Sequence, residues 1–189
     1  IGDNKRWINP SQAMTFPFAQ RLDNVETSAI RELFKLLGKP GIISFAGGFP
    51  DSAMFDVHGI TEAVNKALID EPGAALQYGA TEGYQPLREQ LAAFMQSKGA
   101  QVAADQLIVT TGSQQALDLL GKCLVDPDSK AIVEGPTFLA TIQCFRLYGA
   151  ELISAPIDGE GVQVDQLERL ITEHKPKFVY LIPTFGNPS

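Results

Sequence analysis

A glycine-serine turn between an apolar run and an amphipathic helix carries the strongest chemical signal in this sequence. Residues 107–111 are typical of a buried strand, and the helical pattern begins directly after Gly112. Such a turn directs free backbone N–H groups and the positive end of a helix dipole at one place. Gly112, Ser113 and Gln114 therefore predict an anion site, most naturally for a phosphate. An ordinary N-cap at Ser113 explains this motif alone equally well.

Two further side chains follow apolar runs and have the chemistry to hold a flat ring. Phe138 comes after a Gly-Pro turn, where an aromatic ring can stack on a heterocycle; a core phenylalanine is the alternative. Asn187 precedes a proline and offers a side-chain amide on fixed backbone, with a simple Asn-Pro turn as the alternative. Together with the turn at Ser113, these residues predict a site for a phosphorylated flat heterocycle.

The elements that position these residues alternate between strand and helix. The strands are short, nearly continuous apolar runs, which is typical of strands covered on both faces. Units of this length imply right-handed crossovers and a mainly parallel sheet in an α/β fold, with ligands beyond the carboxyl ends of the strands. The predicted strands are residues 107–111, 131–134, 151–155 and 178–182, and the predicted helices are residues 113–124, 138–148 and 165–174.

The first half of the chain is predicted to be helical, with loops rich in glycine between the helices. Apolar residues recur there at helical spacing, and Phe94 is a candidate for the core. A Gly/Pro-rich loop at residues 44–51 separates the first of these helices from the second. The three predicted helices cover about residues 27–37, 60–68 and 87–95.

Composition and charge exclude several classes of function. The chain has 189 residues and a net charge of −7, which disfavours nucleic acid or an anionic membrane surface as a partner. Neither a membrane-spanning run nor a signal pattern is present, so we expect a cytoplasmic protein. Cys123 and Cys144 lie in apolar helical patterns and are expected to be buried free thiols. His58 and His174 have no companions at ligand spacing, so no metal site is expected.

The ordered set of motifs resembles the pyridoxal-phosphate-dependent aminotransferases of fold type I, classes I and II, and most of all their aminoadipate/kynurenine-type and multiple-substrate branch. The resemblance rests on Gly-Ser-Gln-Gln-Ala-Leu (112–117), Glu-Gly-Pro-Thr-Phe (134–138) and Tyr-Leu-Ile-Pro-Thr-Phe-Gly-Asn-Pro-Ser (180–189). It implies a three-layer α/β sandwich with a mainly parallel sheet, and a homodimer of amino-acid metabolism. It implies amino-group transfer between an amino acid and a 2-oxo acid. It also implies that residues 1–50 form an N-terminal arm and a segment of the small domain, and that residues 51–189 form part of the cofactor-binding large domain.

The resemblance also implies roles for individual residues. The turn at Gly112, with Ser113 and Gln114, would bind the phosphate of pyridoxal 5'-phosphate, and Phe138 would stack on its ring. Asn187 would donate to the phenolate oxygen of the cofactor and contact the substrate.

Three more residues fall at positions that the family uses. Tyr78 would cross a dimer interface to the phosphate of the neighbouring subunit. Gly48 would contact the substrate carboxylate through its backbone. Arg31 is a second partner for that carboxylate, with a solvated helix charge as an equal alternative.

The family's chemistry needs residues that do not occur at matching positions of this sequence. A lysine that forms the Schiff base with the cofactor, an aspartate for the pyridine nitrogen and an arginine for the substrate all follow the Asn-Pro motif in the family. We therefore expect the chain to be the N-terminal half of an aminotransferase, with a truncated large domain, inactive alone. We also expect it not to fold stably alone, because the strand at 107–111 would lack its neighbours.

Three other functions remain beside amino-group transfer. A lyase or decarboxylase of the same fold would use the same cofactor site. An aminotransferase-like sensor module of a transcription regulator would bind the cofactor without catalysis, although the N-terminus shows no basic helix-turn-helix pattern. A nucleotide-binding fold is disfavoured because neither G-x-G-x-x-G nor a P-loop occurs.

Overall fold

The computed structural model describes residues 18–22 and 50–188, which fall into two compact units. One unit comprises residues Thr27–Ala116, and the other comprises Ile1–Glu26 together with Leu117–Ser189. The helix predicted at 27–37 lies outside the described residues, and the domain boundary predicted near residue 50 lies at their margin. Both stay predictions. Within the described part of the chain, no helix is both long and apolar enough to cross a membrane.

The described part of the Thr27–Ala116 unit, residues 50–116, contains three α-helices, two of which match the helices predicted at 60–68 and 87–95. Capping supports the first of them, because the side chain of Asp56 accepts a hydrogen bond of 2.8 Å from the backbone N–H of Gly59. The next two helices carry a proline in the first turn, where the missing N–H has no helical partner to lose. These helices are α1 (Val57–Asp70), α2 (Pro72–Leu76) and α3 (Gln85–Ser97).

This unit buries little apolar surface. Among residues 50–116, Ala92 is the one residue that is fully buried. The prediction that Phe94 belongs to a core is wrong, because its side chain is 60% exposed. The helical period of the sequence was correct, but the face that it marks has no protein packed against it within the described residues.

The other unit contains a four-stranded sheet of order β3-β2-β1-β4. Parallel pairs join β1 to β2 and β1 to β4, and an antiparallel pair joins β2 to β3. The α/β fold with a mainly parallel sheet is therefore confirmed. The strands are β1 (Lys130–Gly135), β2 (Glu151–Asp158), β3 (Gly161–Val162) and β4 (Phe178–Tyr180).

Two of three helices supply buried residues to the core of this unit. Helix α4 (Ser113–Leu124) begins in one unit and ends in the other, while α5 (Leu139–Leu147) and α6 (Val164–His174) lie in the sheet unit. Phe145 of α5 is 1% exposed and meets the rings of Phe178 and Tyr180 edge-on, with centroids 5.0 and 6.2 Å away. These aromatic contacts attach the helix to β4, an edge strand of the sheet.

Two other predictions are wrong. Residues 107–111 are not a strand, although the backbone is extended at Leu107. A strand needs a neighbour for its N–H and C=O groups, and the described sheet offers none at this segment, so the apolar pattern alone forms no ladder.

The prediction that both cysteines are buried is wrong for Cys123, which is exposed. Cys144 is buried as expected, and both are free thiols.

Candidate functional site

The turn at Gly112 has the geometry that an anion site needs. Gly112 has a φ of +78°, a conformation that other residues adopt only with strain, and a Cβ placed there would meet no atom within 4 Å. Helix α4 begins at the next residue, and both Ser113 and Gln114 are exposed. Because Gly112 has no side chain, it cannot cap the first N–H groups of the helix, which leaves their positive end open to a ligand.

Gln115 fixes this turn, a role that the sequence analysis missed. Its side-chain oxygen accepts hydrogen bonds from the backbone N–H of Thr111 at 2.6 Å and from the Thr111 hydroxyl at 2.9 Å. The Thr110 hydroxyl donates to the carbonyl of Gly112 at 3.2 Å. A glutamine at the third helical position is typical of a capping box, in which it bonds the N-cap N–H; here the bond reaches Thr111, one residue before Gly112. The position of Gln115 was therefore the available signal.

The loop that carries Tyr78 lies in the same unit as this turn. The Tyr78 side chain is 99% exposed. Further along the loop, the carbonyl of Glu82 accepts a hydrogen bond of 2.9 Å from the N–H of Val109. Gly83 has a φ of +103°, and a Cβ there would lie 2.7 Å from the Val109 side chain. The loop is thus attached to the extended segment that leads into Gly112.

Phe138 and Asn187 lie in the sheet unit, each after one of two adjacent strands. Phe138 follows β1 as the N-cap residue of α5; it is half-buried and packs against the core that includes Phe145. The buried part of the Phe138 ring agrees with the alternative that this residue is a core phenylalanine. Asn187 follows β4, and its side chain is exposed. Because β1 and β4 are parallel neighbours, the segments that carry both residues leave the same edge of the sheet.

Glu134 is a second residue whose role the sequence did not reveal. It is the last buried residue of β1 and is 8% exposed. Its carboxylate accepts a hydrogen bond of 2.9 Å from the backbone N–H of Ile182, two residues after β4 ends. A glutamate inside an apolar run, directly before a Gly-Pro turn, was the signal, but the sequence did not identify its partner.

A charged cluster on α4 supports the position of α5. The Tyr148 hydroxyl donates to Asp118 at 2.6 Å, and Lys122 forms an ion pair with the same carboxylate. The hydrogen bonds from Lys122 and Tyr148 lower the pKa of Asp118. Hydrogen bonding to Asp118, together with burial, raises the pKa of Tyr148. The guanidinium of Arg21 lies 5.9 Å from the centre of the Tyr148 ring.

The predicted site residues are therefore distributed between the two units. Tyr78 and the Gly112–Gln114 turn belong to one, and Phe138 and Asn187 belong to the other. Gly48 and Arg31 lie outside the described residues. Among residues 18–22 and 50–188, no group of three or more histidine, cysteine, aspartate or glutamate side chains could hold a metal ion.

Comparison with known proteins assigns the chain to a family. The sequence pattern described as "Aminotransferase class I and II" matches residues 41–189. The 2-aminoadipate transaminase of Thermus thermophilus is 41% identical over 172 residues, which cover 91% of this chain and 42% of that protein. The chain belongs to the class I and II aminotransferases.

Solved structures agree with this assignment. The crystal structure of LysN, the α-aminoadipate aminotransferase of Thermus thermophilus, in complex with N-(5'-phosphopyridoxyl)-L-leucine, matches with a TM-score of 0.79 and 40% identity, over 91% of this chain and 42% of that one. The kynurenine aminotransferase of Pyrococcus horikoshii matches with a TM-score of 0.82 and 38% identity, over 91% and 44%. The chain spans less than half the length of these relatives.

Proposed function

We propose that the whole protein of which this chain is part transfers an amino group between an amino acid and a 2-oxo acid with pyridoxal 5'-phosphate as cofactor, whereas these 189 residues alone are inactive. The observation that carries this proposal is the open N-terminus of α4, where the positive φ of Gly112 exposes Ser113 and Gln114. Backbone N–H donors, a hydroxyl and an amide are a donor set that fits a phosphate dianion. The cofactor, when bound, withdraws electrons from the amino-acid substrate and so eases proton removal from its α-carbon.

In this proposal the residues of α4 hold the phosphate end of the cofactor. Ser113 donates through its backbone N–H and hydroxyl, and Gln114 through its backbone N–H and side-chain amide. The helix dipole adds a favourable field for the negative charge. The two hydrogen bonds from Thr111 to Gln115 keep this turn in place before the phosphate arrives, so the site needs little rearrangement to bind.

Phe138 and Asn187 hold the ring end. The half-buried ring of Phe138 is fixed on one side by the core, which leaves the other side to stack on the cofactor ring. The Asn187 amide donates to the phenolate oxygen and favours its ionised form, and it also contacts the substrate. Its exposed position after β4 supports both contacts.

Tyr78 serves the neighbouring subunit of a homodimer. A tyrosine that is 99% exposed contributes almost nothing to the packing of its own unit, so its conformation is free to serve a second copy of the chain. Its hydroxyl would donate to the phosphate held by the partner. Tyr78→Phe should weaken retention of pyridoxal phosphate while the dimer persists, and Tyr84→Phe serves as the control because Tyr84 bonds Glu71 of its own unit. Unchanged retention in an intact dimer refutes this role.

The substrate carboxylate is assigned to Gly48 and Arg31 on the family resemblance. Gly48 would donate its backbone N–H, and Arg31 would pair with the charge. The class of substrate follows from the reaction, namely an amino acid as donor and a 2-oxo acid as acceptor. We place the protein in the cytoplasm and in amino-acid metabolism.

A two-substrate assay tests the proposed activity. The purified whole protein is saturated with pyridoxal phosphate and given an amino acid together with a 2-oxo acid. We expect one new 2-oxo acid for each new amino acid, a visible absorbance band from the bound cofactor, and loss of activity in Asn187→Ala but not in the control Asn65→Ala. A protein that binds no pyridoxal phosphate refutes the proposal. Release of carbon dioxide or ammonia without the second product assigns a decarboxylase or lyase instead.

A further inference from the structure

We propose that Glu134 is a positioning residue that holds the Asn187 segment against β1, and that this contact sets how Asn187 meets the cofactor. The inference rests on the proposed function, because it concerns the same site. Glu134 itself touches neither cofactor nor substrate in this proposal. It acts through the backbone of Ile182, whose N–H donates to its carboxylate at 2.9 Å.

The hydrogen bond begins where the strand pairing ends. The β1–β4 ladder runs from Ala131–Phe178 to Val133–Tyr180 and stops there, while β1 continues to pair with β2 as far as Gly135 and Pro156. The N–H of Ile182, beyond the last ladder pair, is therefore satisfied by the side chain of Glu134. The chain stays attached to β1 for two residues more than the ladder itself provides.

The burial of Glu134 argues that this contact is more than an accident of a surface side chain. A carboxylate that is 8% exposed is costly to bury unless hydrogen bonds compensate it. Ile132, two residues earlier on the same face of the strand, is fully buried, so this face of β1 accepts an apolar side chain. An apolar residue at position 134 would avoid the cost of burying a carboxylate, but it would leave the Ile182 N–H without its acceptor.

The same short stretch of β1 also fixes the approach to Phe138. A Cβ on Gly135 would lie 1.9 Å from the Ser154 hydroxyl oxygen, so the backbone after Glu134 is pressed against β2. Phe138 follows three residues later, and Asn187 follows five residues after Ile182. The hydrogen bond between Ile182 and Glu134 thus joins the start of the segment that leads to Asn187 to the strand that leads to Phe138. Loss of this hydrogen bond should move Asn187 more than Phe138.

Hydrogen exchange of the protein without cofactor tests the contact itself. In Glu134→Leu we expect the amide of Ile182 to exchange on the order of tenfold faster, because its acceptor is gone. Glu134→Gln retains an acceptor oxygen and should restore slow exchange. Glu151→Leu removes an exposed glutamate at the opposite end of the sheet and is the matched control. Unchanged exchange in folded Glu134→Leu overturns the proposal. If that variant does not fold, slow exchange of Ile182 in folded Glu134→Gln supports the proposal and fast exchange overturns it.

A double-mutant cycle with Asn187 tests the consequence. Glu134→Leu should weaken pyridoxal phosphate binding by roughly tenfold and shift the absorbance of the bound cofactor in the same direction as Asn187→Ala. In the Asn187→Ala background, Glu134→Leu should have little further effect, because the residue through which it acts is gone. Additive effects of the two substitutions overturn the positioning role. If Asn187→Ala alone leaves cofactor binding and absorbance unchanged, the proposed role of Asn187 fails, and the positioning role fails with it.

Discussion

The two units of the chain obtain their structure in different ways. In the sheet unit, β1 contributes three consecutive buried apolar residues, and α5 contributes Phe145, which is 1% exposed. In the other unit, the α1 residues Val57, Ile60, Val64 and Leu68 form an apolar stripe at helical spacing, yet all four are exposed. The same sequence pattern therefore marks a formed core in one unit, and in the other a face that none of the described residues 50–116 covers.

Local interactions replace burial in the helical unit. The Lys66 and Asp70 side chains form an ion pair one turn apart on α1, and Gln85 donates to Glu89 at 2.9 Å on α3. Contacts of this kind contribute only tenths of a kcal/mol, about 0.2–0.5 for each pair. The sheet unit, by contrast, obtains several kcal/mol from one buried aromatic side chain. The unit that carries the predicted phosphate turn is thus the less strongly packed one.

The largest expected effect is on the core of the sheet unit. Phe145→Ala removes a ring that is 1% exposed, and we expect it to lower the free energy of unfolding by about 3–5 kcal/mol. Phe94→Ala is the matched control in the helical unit, where the same substitution should change it by less than about 1 kcal/mol. Urea unfolding of both variants measures the difference. Equal losses would contradict the contrast between the units.

A second pair of substitutions compares glycines on helices. In Gly121→Ala, the new Cβ would lie 2.5 Å from the Tyr148 ring, which its hydrogen bond to Asp118 holds in place. We expect a loss of about 1–3 kcal/mol. In Gly73→Ala on α2 the Cβ meets nothing within 4 Å, and helix propensity predicts a gain of up to about 1 kcal/mol. Thermal unfolding measures both changes, and melting temperatures that shift in the same direction in the two variants would contradict this prediction.

The smallest expected effect is a decrease of folding stability in acid that originates at Asp118. Because its pKa is lowered in the folded protein, the native state binds fewer protons than the unfolded chain in acid. The stabilisation is complete above about pH 4, the usual range of an aspartate, and is lost as the pH falls through the lowered pKa. Asp118→Asn should flatten this dependence, and Tyr148→Phe should reduce it partly. A urea midpoint that falls with decreasing pH as steeply in Asp118→Asn as in the wild type would rule it out.

The sequence predicted most elements of the sheet unit correctly. The helix expected at 113–124 is Ser113–Leu124, and the strands expected at 131–134 and 151–155 lie within Lys130–Gly135 and Glu151–Asp158. Short apolar runs bounded by turn residues carry this information locally. The antiparallel strand β3 was missed because two residues give no periodicity.

The missed features depend on contacts between distant residues. Whether residues 107–111 form a strand depends on a neighbouring strand, and no property of those five residues supplies one. The hydrogen-bond partner of Glu134 is Ile182, 48 positions further along the chain, and it depends on where β4 stops pairing with β1. Phe94 shows the same limit, because helical spacing identifies the apolar face but not what covers it.

The most direct test of the account is the affinity for pyridoxal phosphate relative to pyridoxal, which lacks the phosphate. If α4 holds the phosphate, the protein should prefer pyridoxal phosphate by about a hundredfold or more, since charge-assisted hydrogen bonds contribute about 1.5–3 kcal/mol each. Ser113→Ala should reduce this preference by about tenfold and leave pyridoxal binding unchanged. Ser97→Ala, whose hydroxyl bonds its own helix, should retain it. Equal affinities for the two compounds, or a preference unchanged in Ser113→Ala, would contradict the account.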